Sequence, residues 1–174
     1  MLDKLSVQLG EHVLDVGCGT GAQVLPILGR IGSTGTVSAC DISKESILQL
    51  RNAAPDDSRL QAVVADMADL SVLIDGTFRQ KSYSLALAVY SLYYSSQRMR
   101  AFMTMSSHLT STGRVVVFSP ISPHGLVELA AQFGDIPPPV HDCLAVFPMQ
   151  LLAAFRQLFW DVRVDYFQST VSVT

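Results

Sequence analysis

Residues 13–21 read Val-Leu-Asp-Val-Gly-Cys-Gly-Thr-Gly, an apolar run that breaks into glycines at 17, 19 and 21 with the Asp15 carboxylate just ahead of them. A strand running into glycines and then a helix presents backbone N–H groups and a positive dipole end to a ligand above it. Gly17, Gly19 and Ala22 satisfy the dinucleotide spacing G-x-G-x-x-A, and Asp41 follows Gly19 by about 22 residues, where an acid that holds a ribose belongs. On those residues a nicotinamide cofactor, and with it an NAD-dependent oxidoreductase of Rossmann type, is one reading. Asp15 argues for another. It falls at the strand end where a pyrophosphate would lie, no Lys or Arg in the loop offsets it, and like charges repel in a partly dehydrated crevice. A ligand bearing an ammonium or a sulfonium is favoured there.

S-adenosylmethionine (SAM) carries both cations, and its ribose hydroxyls suit Asp41. A sulfonium methyl is already activated, so its transfer needs proximity, a near-linear approach and exclusion of water. A base helps only an acceptor that must lose a proton, as a hydroxyl does. The candidates for contact with such an acceptor cluster in Tyr90-Ser91-Leu92-Tyr93-Tyr94, which holds three of the five tyrosines. At the carboxyl edge of an open α/β sheet they would line the ligand crevice with apolar faces and hydroxyls; packed against the following helix they would be core. Tyr90 is the first candidate. His124, in Ser119-Pro-Ile-Ser-Pro-His124-Gly, is placed to act as a base on the same edge, or equally to cap a helix at the surface. His141 and Asp142 are adjacent on a loop, a geometry that usually points side chains apart, while His12 and His108 read as structural. Cys18 sits inside the glycine loop, where it fits a small-residue slot beside the cofactor better than a nucleophile's position. No acids, histidines or cysteines stand at metal-ligand spacing, so no metal is expected.

These residues need a sheet to hold them. Apolar β-branched runs predict strands at His12–Val16, Thr36–Cys40, Leu60–Ala65, Ser84–Tyr90, Gly113–Phe118, Val162–Phe167 and Thr170–Val173. Helices are predicted at Gly21–Ile31, Lys44–Ala54, Gln97–Leu109, Gly125–Phe133 and Met149–Phe159, with Ser43 and Ser96 as N-caps and Thr112-Gly113 as a stop. Pro26 should kink the first helix or confine its regular part. The last two strands are separated only by Gln168 and Ser169, too few residues for a crossover, so they should pair antiparallel. The expected fold is α/β, doubly wound, with a mostly parallel seven-stranded sheet, an antiparallel last strand and helices on both faces. The segment 136–148, with three consecutive prolines, reads as a loop.

The 174 residues are 49% hydrophobic with a mean hydropathy of +0.33, which suits one core and one domain. A net charge of −3 gives no global attraction to nucleic acid. Cys18, Cys40 and Cys143 are too dispersed for a zinc site and read as reduced thiols, and no leader or membrane span is visible, so a cytoplasmic protein is expected.

Taken together, the motifs resemble a class I SAM-dependent methyltransferase, over nearly the whole chain. Residues 13–21 match that family's D/E-x-G-x-G-x-G motif, Val37-Ser-Ala-Cys-Asp41-Ile-Ser43 its second, Val63-Val-Ala-Asp66-Met67 its third, Leu85-Ala-Leu-Ala-Val-Tyr90 its fourth, and Leu109–Gly113 its entry to the fifth strand. The resemblance implies that Asp15, Gly17, Cys18, Gly19 and Gly21 surround the methionine part of SAM. It likewise implies that Asp41 binds the ribose with Ile42 against the adenine, that Asp66 and the Met67 amide meet the adenine edge, and that Val89 and Tyr90 face cofactor and acceptor. The implied partner is a small-molecule methyl acceptor, with S-adenosylhomocysteine (SAH) as product; the slight acidity and the lack of a basic stripe disfavour nucleic acid, and no membrane partner is expected. The chain starts directly before the first strand and stops at Thr174, at the last one. One domain over residues 1–174 is therefore expected, either compact or trimmed at one or both ends. A SAM-fold binding module without transferase activity is the rival from outside enzymology.

Overall fold

The structure is a computed structural model, and it describes residues 5–121 and 142–166. Five parallel strands, β1 (His12–Val16), β2 (Thr36–Asp41), β3 (Leu60–Val64), β4 (Tyr83–Val89) and β5 (Leu109–Phe118), form one sheet in the order β3-β2-β1-β4-β5. The helices are α1 (Val24–Leu28), α2 (Lys44–Ala53), α3 (Leu70–Val72), α4 (Arg98–Ser107) and α5 (Phe147–Leu158). Successive strand side chains point to opposite faces, and here both faces are apolar. Val13, Val37, Ala39, Leu85 and Leu87 pack with Val24, Ile27, Ile47 and Leu50 of α1 and α2. Leu14, Val16, Cys40, Ala86 and Ala88 pack on the other side with Leu70, Phe102, Met105, Phe147 and Leu151. Helices therefore cover both faces, as expected of a doubly wound α/β sheet.

The expectation of seven strands with an antiparallel last one is not met. The described residues form five strands, all parallel. The predicted strand at Val162–Phe167 makes no ladder over residues 162–166, where Val164 and Tyr166 are exposed and the alternation has no packed face behind it. The second predicted arm, Thr170–Val173, and the predicted helix Gly125–Phe133 lie outside the described residues.

Other boundaries moved for local reasons. The first helix shrinks from the predicted Gly21–Ile31 to five residues, and Pro26 then falls in a first turn whose N–H groups have no intrahelical acceptor. Ser43 caps α2 as predicted, its Oγ accepting from Ser46 N at 3.2 Å. Ser96 does not cap α4; Gln97 flanks it, and Ser95 Oγ accepts the Gln97 N–H at 3.1 Å. Thr112-Gly113, predicted as a helix stop, lies within β5, where the ladder to β4 shifts register and a Cβ on Gly113 would come within 2.8 Å of the Tyr83 carbonyl. The sequence reading assigned no element between Ala65 and Ser84. There the chain makes a 3₁₀ turn at Met67–Asp69, then α3, then a π turn at Leu73–Thr77. Among the described residues no helix is long and apolar enough to cross a membrane.

Candidate active site

The chain leaves β1 for β2 on one side and returns to β4 on the other, so the strand order reverses at β1, and ligand crevices form at such a point beyond the carboxyl ends of the strands. A cavity of about 630 Å³ opens there, within the range of small-molecule sites. Of the residues that the sequence assigned to cofactor binding, Gly17, Cys18, Gly19, Asp41, Ile42, Asp66, Met67, Val89 and Tyr90 line it, while Asp15 and Gly21 do not.

The three glycines are bare for two different reasons. A Cβ on Gly17 would lie 2.3 Å from Ser91 Cβ, and one on Gly21 would lie 2.4 Å from Leu50 Cδ1, so both are bare because a neighbour fills the space. A Cβ on Gly19 would meet nothing within 4 Å, and its φ of +53° suits glycine. Only Gly19 leaves open volume for a ligand. Four amides of the loop are engaged within the protein: Gly17 N–H and Cys18 N–H donate to the Cys40 carbonyl (2.8 and 3.0 Å), Gly21 N–H to the Cys18 carbonyl (3.1 Å), and Gly19 N–H to Asp41 Oδ2 (2.8 Å). Because α1 starts only at Val24 and runs five residues, the helix-dipole end expected above the loop is not there either.

Asp41 ends β2 and is fixed from both sides, with Oδ1 accepting the Ser43 N–H at 2.8 Å. Each oxygen keeps a second lone pair, and Asp41 lines the cavity. Ile42 beside it is 72% exposed, an apolar surface that the fold itself leaves uncovered. Asp66 caps the turn after β3 through Oδ1, which accepts from Ala68 N at 2.9 Å, leaving Oδ2 available. Among the described residues the lining holds these two carboxylates and no Lys, Arg or His.

Asp15 differs from its sequence-level reading. It pairs with Ala39 and Leu87 in the sheet, is 1% exposed, and its Oδ2 has no hydrogen-bond partner. Burial, and then the Asp41 carboxylate, push its carboxyl up to about 7. The carboxylates on the cavity wall are therefore Asp41 and Asp66, not Asp15. The Cys18 thiol is pushed far above its ordinary value by burial and the nearby acids, and Cys40 to about 12, which removes a thiolate from the loop at neutral pH.

Tyr90 stands one residue past β4, with φ +51° and 54% exposure. Its N–H donates to the Phe118 carbonyl (2.9 Å), and the buried Ser91 hydroxyl next to it donates to the Val16 carbonyl (2.6 Å). The sequence reading did not single out Thr20, Gln23, Ser91, Ser95 or Ser96 as cavity residues, although all line it together with Tyr94. Small polar residues just past the β1 and β4 ends were the available signal. Of the histidines, His12 bonds Thr36 Oγ1 (2.8 Å) at the far end of the sheet and His108 follows α4, bonding the Thr104 carbonyl (2.8 Å). The candidate base His124 and also His141 lie outside the described residues, and Asp142 is ion-paired with Arg98.

The glycine loop, the acid ending β2 and the acid after β3 thus meet in one cavity in the order the motifs require. Residues 13–113 match the family model described as a methyltransferase domain. The chain belongs to the methyltransferase domain family. The resemblance to class I SAM-dependent methyltransferases is borne out by that match and by its relatives. Aklanonic acid methyltransferase DauC of Streptomyces sp. (strain C5) is 28% identical over 116 residues, covering 64% of this chain and 49% of that protein. Nocamycin O-methyltransferase of Saccharothrix syringae is 28% identical over 130 residues, covering 75% of this chain and 45% of that protein. This methyltransferase domain therefore spans about half the length of these curated relatives. A solved SAM-dependent methyltransferase from Aquifex aeolicus superposes with a TM-score of 0.61 at 13% identity, over 90% of this chain and 76% of that one, a likeness of fold. The NAD-dependent oxidoreductase reading is not favoured.

Proposed function

We propose that this domain binds SAM and transfers its methyl group to an oxygen, nitrogen or carbon atom of a small-molecule acceptor, releasing SAH. The observation that carries the reading is the electrostatics of the cavity: two carboxylates, no cation among the described lining residues, and loop amides at Gly17, Cys18, Gly19 and Gly21 that are all hydrogen-bonded within the protein. A pyrophosphate would bring negative charge beside Asp41 and Asp66 with no cation in the described lining to offset it, whereas SAM brings two cations against a single carboxylate.

The residues present fit SAM. The open face at Gly19 accommodates a chain passing close to the backbone. Asp41 would accept from both ribose hydroxyls with its remaining lone pairs, Ile42 and Met67 would hold the adenine ring, and Asp66 Oδ2 would accept from its amino group. When bound, SAM would supply an activated methyl group, given up to an electron pair on the acceptor oxygen, nitrogen or nucleophilic carbon while sulfur keeps the pair of the broken carbon–sulfur bond. The protein's own part is positional. Tyr90, locked past the β4 end, orients the acceptor and limits water at the transferring end. For a hydroxyl acceptor, His124 is the candidate for taking the proton.

Calorimetric titration with SAH and with NAD tests the reading. SAH is expected to bind and NAD to show no heat of binding. Asp41→Ala should weaken SAH by about 10- to 100-fold, the loss of hydrogen bonds to a charged group. Binding of NAD in place of SAH, or an unchanged SAH affinity in Asp41→Ala, would overturn it.

A further inference from the structure

We propose that the methyl acceptor is an uncharged, planar aromatic molecule seated against Tyr90 and Tyr94 at the rim of the cavity. The proposal rests on the methyltransferase reading and narrows its substrate class.

Tyr90 holds a left-handed backbone conformation that bulky residues rarely adopt, at φ +51°. Strain of that kind persists where neighbours over-determine it, and here the Tyr90 N–H to Phe118 and the Ser91 hydroxyl to Val16 do so. What the strain achieves is not burial, since the side chain stays half exposed on the cavity wall. Tyr94 ends the 3₁₀ turn Leu92–Tyr94, whose first residue is buried in the core, yet Tyr94 itself is 80% exposed and lines the same cavity. It is supported from within by Tyr93, whose ring centroid lies 4.4 Å away at a 42° tilt and which packs against the core. Two tyrosines, each tied to a rigid support and each left open to the cavity, form a ready surface for another ring.

Charge selects among rings. The described lining has no basic residue, residues 115–155 contain no Lys or Arg, and Lys4 is the only lysine or arginine among the residues outside the described ones. An anionic acceptor would enter unpaired beside Asp41 and Asp66. A cationic acceptor would meet the like charge of the sulfonium that those carboxylates offset. A neutral ring escapes both penalties and gains the offset or edge contacts that aromatic pairs make beyond simple burial.

The test uses SAH-loaded protein and three matched probes: 2-naphthol, its anionic counterpart 2-naphthoate, and the saturated 2-decalol, each titrated by calorimetry. Naphthol should bind about tenfold tighter than either of the others, the upper range for aromatic pairing and exclusion of an unpaired charge. Tyr94→Leu, which keeps apolar bulk, should reduce naphthol affinity about fivefold, and Tyr94→Phe should restore it. Naphthoate or decalol binding as tightly as naphthol, an unchanged naphthol affinity in Tyr94→Leu, or no probe binding at all would overturn the proposal. Failure of SAH itself to bind would instead strike the methyltransferase reading beneath it.

Discussion

Asparagine in place of Asp15 isolates the buried carboxyl beneath the glycine loop, because it preserves shape and removes ionisation. Asp15 is 1% exposed with an unpartnered Oδ2, and burial plus Asp41 raise its carboxyl from 3.8 to about 7. Between those values the native state binds more protons than the unfolded chain. The group's contribution to stability is therefore full below pH 3.8 and is lost as pH rises toward 7, about 4 kcal/mol over the whole interval. From pH 5 to pH 8 the loss is about 2–3 kcal/mol. Asp41 is common to both proteins, and the Cys18 and Cys40 thiols titrate well above pH 8, so neither disturbs the comparison. Urea unfolding of both SAM-free proteins should show the stability of Asp15→Asn relative to the parent rising by about 2–3 kcal/mol from pH 5 to pH 8. A difference that stays constant, or that moves the other way, would refute the claim that this carboxyl is held neutral by burial.

Two further perturbations separate folding from ligand binding. Gly21→Ala places a Cβ 2.4 Å from Leu50 Cδ1 at a φ of +91°, and should lower unfolding stability by about 2–4 kcal/mol, whereas Gly19→Ala meets nothing in the protein and should cost only about 1 kcal/mol while abolishing SAH binding. Urea melts paired with SAH calorimetry check both, and the opposite ranking would count against the assignment of Gly19 to the ligand. Arg114 donates to both oxygens of the buried Glu11 (2.5 and 3.1 Å) and to the Leu5 carbonyl (2.9 Å), tying the start of the described chain to β5. Arg114→Ala leaves that carboxylate unpaired and should destabilise by about 2–3 kcal/mol, with Glu11→Gln in the same chain recovering part of it in a double-mutant cycle; full additivity would show the pair to be uncoupled.

Strands β1, β2 and β4 were legible because a parallel strand covered on both faces reads as a mostly apolar run, broken only by single polar residues such as Asp15, Ser38 and Ser84, and α2 because Ser43 caps its start. The helical stretch after Asp66 was legible in principle: Leu70, Ile74 and Phe78 recur every four residues and all are buried. It was missed because its hydrogen bonding passes from 3₁₀ through α to π, and no single start or stop signal frames it. The strand expected at Val162–Phe167 rested on alternation and on a two-residue gap to a second arm outside the described residues; over residues 162–166 the alternation has no packed face behind it and no ladder forms. In the site, the motif spacing brought Asp41 and Asp66 to one cavity, since each acid ends or follows a strand and the sheet register does the rest. The state of Asp15 was not legible. Whether a carboxylate at a strand end faces a ligand or is sealed beneath a loop depends on long-range packing, which local spacing does not encode.

Ser91 occupies the volume that a side chain at Gly17 would need, and its hydroxyl is anchored on the Val16 carbonyl. The turn that carries the tyrosines and the turn that carries the glycines are thus keyed together like a tab in a slot. A graft of residues 90–96 that brought a larger side chain to 91 would press on the backbone at 17, so such a graft has to keep 91 small. A side chain at 17 would in turn push the two turns apart and shift the Tyr90 wall relative to the glycine loop.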